Sequence, residues 1–127
     1  MQRAHARGRI GYTETHQVIV RVGYGKGPLV AERLEENNLI VNYQSAPDDE
    51  AFTTASCLRM GVQEMTRFGM REEDLAQLAE YMGQVILKNR PMAKEVAQFR
   101  KKFTEMKYCL PEAEARSLVE ELLEAIR

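Results

Sequence analysis

Arg59 is the residue of this chain whose type and setting best suit binding chemistry. It lies in the short run Ser56-Cys57-Leu58-Arg59-Met60-Gly61, where a charge is unusual because arginine is almost never fully buried without a partner. If Arg59 faces a cleft, the planar fork of donors on its guanidinium would match the two oxygens of a carboxylate. On an edge strand it would instead point at solvent or at an internal Asp or Glu. On these six residues alone, the second interpretation is the simpler one.

The elements that must position Arg59 are three short strands and the helices between and after them. The β-branched, nearly alternating stretch His-Gln-Val-Ile-Val-Arg-Val predicts a first strand over residues 16–22. Residues 39–43 and 56–62 are predicted as the second and third strands, and the third carries Arg59. A helix from Pro28 to about Asn37 separates the first two, since proline suits a first helical position.

Three further helices are predicted after the third strand. The acidic residues Glu72-Glu73-Asp74 fit the first turn of a long helix, where they complement the helix dipole. Pro91 restarts the chain, and Pro111 opens a last helix. Apolar residues repeat at helical spacing in the two later segments: Val96, Phe99, Phe103 and Met106, then Leu118, Val119, Leu122 and Ile126.

The predicted fold is α+β, with a small, mostly antiparallel three-stranded sheet covered on one side by helices and with additional C-terminal helices. A length of 127 residues suits a single core. Residues 1–15 are polar and punctuated by glycine, which predicts a flexible lead-in. Residues 16–127 are predicted to form the domain.

Composition and charge argue against several classes of partner. The net charge of −1 indicates neither nucleic acid nor an anionic membrane, and no apolar run is long enough to span a bilayer. His5 and His16 are the only histidines, and no Cys or His cluster predicts a metal site. Cys57 and Cys109, distant and without C-x-x-C spacing, fit buried free thiols in a reducing, cytoplasmic compartment.

The glycines of Gly23-Tyr24-Gly25-Lys26-Gly27 invite comparison with a phosphate-binding loop. The spacing differs from that of a P-loop, and the proline that follows Gly27 lacks the N–H that an anion would need. A strand-to-helix turn that needs positive φ explains these glycines better.

The acidic run Asp48-Asp49-Glu50 could serve as a metal or general-base cluster. No partner residues stand at ligand spacing from it. A solvated loop is therefore the simpler interpretation.

Four segments in the same order together resemble the C-terminal part of serine hydroxymethyltransferase, a pyridoxal-phosphate (PLP) enzyme of the aspartate-aminotransferase fold type. The resemblance extends from about Gly11 to Leu87. Residues 11–16, followed by the strand 17–20, resemble the family pattern Gly-Gly-Thr-Asp-x-His and the strand after it, and residues 25–27 and 38–42 resemble the next helix and its Ile-x-Val-Asn strand. Residues 56–61 resemble Ser-Gly-Ile-Arg-Leu-Gly. Residues 66–70 resemble Thr-Thr-Arg-Gly-Phe, and residues 71–74 resemble the acidic helix start that follows it.

The resemblance implies roles for two residues. Arg59 matches the family arginine that holds the substrate α-carboxylate, so the interpretation as a carboxylate site now outweighs the structural one. Gln44 stands where the family has the asparagine that touches the pterin of the folate. Three features depart from the family pattern. The loop after Gln44 is about one residue shorter, and Cys57 replaces a glycine. The family's Gly-Thr-Pro-Ala is replaced by Gly61-Val62-Gln63-Glu64. These departures indicate a divergent branch and weaken the case for tetrahydrofolate.

The family also places the lysine that binds PLP in a large domain, on a Thr-x-Thr-His-Lys motif that this sequence lacks. The resemblance therefore implies a small domain that is inert alone. Its missing partner would be the PLP-binding large domain or a partner subunit, and the parent would be a homodimer cleaving β-hydroxy-α-amino acids. Two alternatives stay open: a stand-alone, non-catalytic binding module or split-enzyme subunit, and a generic α+β domain.

Overall fold

The computed structural model describes the backbone of residues 3–6 and 9–12 and all of residues 15–126. The described residues form ten helices and strands, with a short 3₁₀ turn at Phe52–Thr54 between the fourth and fifth strands. In order they are β1 (Arg3–Ala6), β2 (Arg9–Tyr12), β3 (Val18–Arg21), α1 (Gly27–Glu35), β4 (Asn42–Gln44), β5 (Cys57–Met60), α2 (Gln63–Arg67), α3 (Glu72–Lys88), α4 (Ala93–Arg100) and α5 (Glu112–Ala125).

The first two strands pair with each other as an antiparallel hairpin, with Arg3 opposite Tyr12 and Ala6 opposite Arg9. They fall within the predicted lead-in of residues 1–15, for which the sequence suggested no strands. The predicted domain boundary at residue 16, and the flexibility of the segment before it, stay predictions.

The main sheet has three antiparallel strands in the order β3-β5-β4. The predicted α+β class is therefore confirmed, and the strand that carries Arg59 is the central one. The second strand was predicted at residues 39–43 but occupies Asn42–Gln44. Leu39 instead lies in the turn that follows α1, because its N–H donates to the Leu34 carbonyl and its side chain is buried in the core.

Helices α1, α3 and α4 cover one side of this sheet and form the main core with it. Leu34 of α1, Leu58 of β5 and Val85 of α3 are its most deeply buried apolar side chains. Burying a side chain of this size stabilises the fold by about 1.5–3 kcal/mol. A second cluster contains Met70, Phe99 and Phe103, and the rings of the two phenylalanines lie 5.2 Å apart.

Two asparagines join the end of α1 to the start of α4. Asn38 adopts the left-handed conformation (φ 62°) expected where a helix ends, and its amide donates to the Ala93 carbonyl over 3.1 Å. Asn37 is buried; its amide donates to the Arg33 carbonyl, and its oxygen accepts from the Met92 N–H. These hydrogen bonds tie the C-terminal end of α1 to the start of α4 and so help to fix the position of α1 beside the sheet.

The last two predicted helices both form, but the length of the first and the burial of the second differ from expectation. Helix α4 ends at Arg100, so Phe103 is buried from the following turn, while Met106 is 44% exposed. Helix α5 forms as predicted, but none of its residues is buried. The apolar side chains of α5 and of Ile126, directly after it, are between 48% and 71% exposed: Leu118, Val119, Leu122, Leu123 and Ile126.

Candidate functional site

The antiparallel register places Arg59 on the polar face of the sheet. Arg59 pairs with Ile19 of β3 on one side and with Asn42 of β4 on the other. Cross-strand partners share a face, and so do residues two apart along a strand. The same face therefore carries the next set of partners along the strands: Arg21, Cys57 and Gln44.

The opposite face of β5 carries Leu58 and Met60, which pack with the helices in the main core. Arg59 thus avoids the apolar interior, which explains how a charge fits in an apolar run. Its side chain is half-buried, and within residues 15–126 its guanidinium forms neither an ion pair nor a hydrogen bond. An internal Asp or Glu partner, one of the two simpler interpretations, is therefore not found in that part of the chain.

Arg59 lines an open cleft of about 700 Å³ between helix α1 and the edge strand β4. Gln44, the predicted folate contact, lines the same cleft, so the structure brings both predicted site residues together. The other lining residues come from α1, from residues 41–43 and from the following loop: Pro28, Ala31, Glu32, Glu35, Val41, Asn42, Tyr43 and Phe52. One cation, two carboxylates, two amides and two aromatic rings make a cleft suited to a polar organic ligand.

The glycines at the start of α1 hold the helix close to the sheet. Gly23 and Gly25 have positive φ (115° and 66°), as predicted for a strand-to-helix turn. Gly27 is needed for a different reason, since a Cβ there would lie 2.7 Å from the Ala55 carbonyl oxygen. Absence of a side chain at Gly27 lets α1, which forms one wall of the cleft, approach the segment that leads into β5.

The 45–56 loop, which connects β4 to β5, is organised by Asp49. The Oδ2 atom of Asp49 accepts hydrogen bonds from the Ala46 N–H at 2.7 Å and from the Ser56 N–H at 2.8 Å. Burial opposes ionisation of the carboxyl, but these bonds and the Arg21 charge outweigh it and lower the pKa of Asp49. A charged Asp49 therefore closes the two ends of the loop on one oxygen.

The two carboxylates that flank Asp49 bind elsewhere. Asp48 forms a bidentate ion pair with Arg21 of β3, at 2.5 Å and 3.1 Å, and this hydrogen bonding raises the pKa of Arg21. Glu50 accepts a hydrogen bond from the Tyr24 hydroxyl at 3.1 Å, which raises the pKa of Tyr24. The acidic run is thus three separate contacts, and no group of metal-binding residues occurs among those described.

The contacts of Arg21, Asp48 and Asp49 were missed by the sequence analysis. The signal available was the acidic run itself, on a loop between two strands with an arginine in the neighbouring strand. Sequence spacing alone did not indicate which carboxylate faces which donor. No helix in the described part of the chain is long and apolar enough to cross a membrane.

Comparison with known proteins gives relatives with one name. The serine hydroxymethyltransferase of Pyrobaculum aerophilum is 48% identical over 103 residues, which are 79% of this chain and 24% of the relative. That of Metallosphaera sedula is 45% identical over 107 residues, 80% of this chain and 25% of the relative. That of Pyrobaculum calidifontis is 40% identical over 121 residues, which are 93% of this chain and 28% of the relative. The chain spans about a quarter of the length of these relatives.

A solved structure shares the fold. The L-threonine transaldolase of Pseudomonas fluorescens, in its internal aldimine state, superimposes with a TM-score of 0.67 and 24% identity, over 85% of this chain and 26% of that one. No protein-family model matches the chain. The resemblance predicted from the segments around Arg59 is confirmed: over most of its length, this chain is homologous to the C-terminal quarter of the serine hydroxymethyltransferases.

Proposed function

We propose that this chain is the C-terminal domain of a serine hydroxymethyltransferase-like enzyme, in which Arg59 binds the α-carboxylate of a β-hydroxy-α-amino acid. The observation that supports this role is the placement of the guanidinium. It lies on the polar face of the sheet, lines the cleft and has no ion-pair partner among residues 15–126. A substrate carboxylate would supply that partner and orient the bonds at the amino-acid Cα.

The residues of the cleft do not fit PLP by themselves, because no lysine among residues 15–126 lines it. We expect the cofactor to be held by the region that the relatives have and this chain does not span. The isolated chain is therefore expected to have no enzyme activity. Its contribution is to bind and orient the amino acid.

Tetrahydrofolate is the second ligand that we propose to test. Gln44 lines the same cleft as Arg59, so a folate bound beside the amino acid could reach its amide. A glutamine keeps the donor and the acceptor of the family's asparagine on a side chain that is one methylene longer. The aromatic rings of Tyr43 and Phe52, 5.2 Å apart, also border this part of the cleft.

The partner that we propose is the missing large region, whether as the rest of a longer chain or as a separate subunit. Helix α5 supports a partner because it leaves an apolar stripe exposed, and large exposed apolar patches mark interaction surfaces. A stand-alone binding module is the alternative, and it would be expected to cover this stripe itself. The homodimer and the cytoplasmic location implied by the resemblance stay predictions, and the free thiols Cys57 and Cys109 fit the latter.

A chimera tests the proposed function directly. The C-terminal quarter of the Pyrobaculum aerophilum relative would be replaced by this chain, and cleavage of L-serine would be measured. We expect an active chimera. Arg59→Lys should lower its kcat/KM by roughly 100-fold, because lysine cannot reproduce the bidentate contact.

The matched control is Arg67→Lys, since Arg67 is an exposed arginine over the Tyr108 ring and does not line the cleft. It should leave kcat/KM unchanged. Equal activity of the Arg59→Lys and wild-type chimeras would show that Arg59 does not bind substrate. An inactive but folded wild-type chimera would instead favour the stand-alone module.

A further inference from the structure

The loop between β4 and β5 is long for a connection that sets the geometry of a site. Strand β4 ends at Gln44 and β5 begins at Cys57, whereas antiparallel neighbours are commonly joined by two to five residues. A long connection leaves the ends of its strands less constrained unless other contacts close it. Gln44 and Arg59, which line the cleft together, stand on these two strands.

Asp49 closes this loop at its mouth. Its Oδ2 atom accepts from the N–H of Ala46, two residues after Gln44, and from the N–H of Ser56, directly before β5. Ala46 is 7% exposed and Ser56 is 2% exposed, so water cannot readily replace the lost acceptor. One oxygen therefore satisfies two donors that lie at opposite ends of the loop.

Ser56 is also held from its other side. Its carbonyl accepts from the N–H of Val22 at 2.8 Å and from that of Gly23 at 3.3 Å, directly after β3. The backbone that enters β5 is thus fixed between β3 and the Asp49 carboxylate. Arg59 follows three residues later on the same strand.

We propose that Asp49 is a positioning residue for the carboxylate site: by closing the 45–56 loop on one oxygen, it holds the strands that carry Gln44 and Arg59 in register. This role rests on the proposed function, because it assigns to the loop closure the placement of the group that binds the ligand. Asp49 itself does not line the cleft.

Because both hydrogen bonds end on a single oxygen, two substitutions of Asp49 should have different effects. Asparagine retains one side-chain oxygen and can accept from both N–H groups, whereas alanine leaves both donors without an acceptor. In loop closure and ligand binding, Asp49→Asn should therefore stay close to wild type, and Asp49→Ala should not. Asp48→Ala makes the same chemical change one residue earlier and serves as the control, because it removes the ion pair with Arg21 and leaves both bonds to Asp49.

The experiment uses the ¹⁵N-labelled 127-residue chain and two readouts. The first is hydrogen exchange at the amides of Ala46 and Ser56. The second is a titration with glycine, followed through the Nε–H signal of Arg59. We expect Asp49→Ala to speed exchange at both amides about tenfold and to weaken glycine binding severalfold, while Asp49→Asn and Asp48→Ala change neither.

Each contrary outcome overturns a definite part of the proposal. Unchanged amide exchange in Asp49→Ala would show that Asp49 does not close the loop. Faster exchange with unchanged glycine affinity would make the closure structural only and reject the positioning role. In a third outcome, the amides exchange as expected but the Arg59 signal of the wild-type chain does not respond to glycine. This result would reject the carboxylate site and the positioning role, while the loop closure would stand.

A further measurement on the wild-type chain covers the case in which Asp49→Ala fails to fold. Couplings through the hydrogen bonds, from the amide nitrogens of Ala46 and Ser56 to the Asp49 carboxyl carbon, should be detectable. Their absence in folded chain would overturn the closure without any substitution.

Discussion

The 45–56 loop has an irregular backbone but many contacts with the fold, whereas helix α5 has a regular backbone but buries no side chain in the fold. The loop is irregular apart from one 3₁₀ turn, yet its residues Asp48, Asp49 and Glu50 each bind a different partner. Helix α5 is regular over 14 residues, yet buries none of them. Attachment to this fold therefore depends on which side chains find partners, and a well-formed helix can remain unattached.

The largest effect expected from this comparison concerns the point where the loop meets α1. Gly27→Ala would place a Cβ 2.7 Å from the Ala55 carbonyl oxygen and force the helix away from the end of the loop. We expect the free energy of unfolding to fall by about 1–3 kcal/mol, measured by urea denaturation.

Gly83→Ala is the matched control, because a Cβ at Gly83 in α3 would meet nothing within 4 Å. It should raise the free energy of unfolding by roughly 0.5–1 kcal/mol, since alanine favours a helix over glycine. Similar losses in both variants would mean that the close approach at Gly27 has no special cost.

A smaller effect is expected from acid. The pKa of Asp49 is lower in the folded chain, so its carboxylate stabilises the fold above the unfolded pKa of about 3.9. This contribution should be lost as the pH falls below about 4, through the folded pKa. The charged groups around it are Arg21, Asp48 and Glu50.

The measurement is the difference in the free energy of unfolding between wild type and Asp49→Asn, followed from pH 6 to pH 2. The difference should narrow as the pH falls, because only the wild type has a charge to lose at this position. A difference that stays constant with pH would show that Asp49 does not titrate with the folding transition.

The smallest effect is expected at the other end of the comparison. Truncation after Leu110 removes α5, and the free energy of unfolding should change by less than about 0.5 kcal/mol, because α5 buries nothing in the fold. Binding of an apolar dye should decrease as the exposed stripe is lost. A cooperative loss of stability would mean that α5 packs on the domain after all.

The sequence predicted well those features that local patterns determine. The strand around Arg59, the acidic start of α3 and the glycine turn before α1 all follow from residue types at short spacing. The start of β4 was predicted three residues early, because the apolar Leu39 packs beside α1 while Ile40 is 85% exposed. Apolar residues alone did not distinguish a helix end from a strand.

The candidate site was predicted in part, for a related reason. Arg59 and Gln44 were identified through the family resemblance, and the structure places them in one cleft. Asp49 was not distinguished from its neighbours, because its role depends on two backbone donors ten residues apart in the chain, Ala46 and Ser56. Such a contact exists only after the strands have paired, so no short pattern in the sequence reveals it.

The two cysteines differ in a way that is useful for spectroscopy. Cys57 is buried on β5 as predicted. The prediction that Cys109 is buried too was wrong, because Cys109 is exposed between Lys107, whose N–H donates to the Arg67 carbonyl, and the start of α5. A maleimide-linked fluorophore or spin label should therefore attach to the native chain at Cys109 alone, without any substitution. Its mobility would report whether the neighbouring helix becomes immobilised when the chain binds the partner region proposed above.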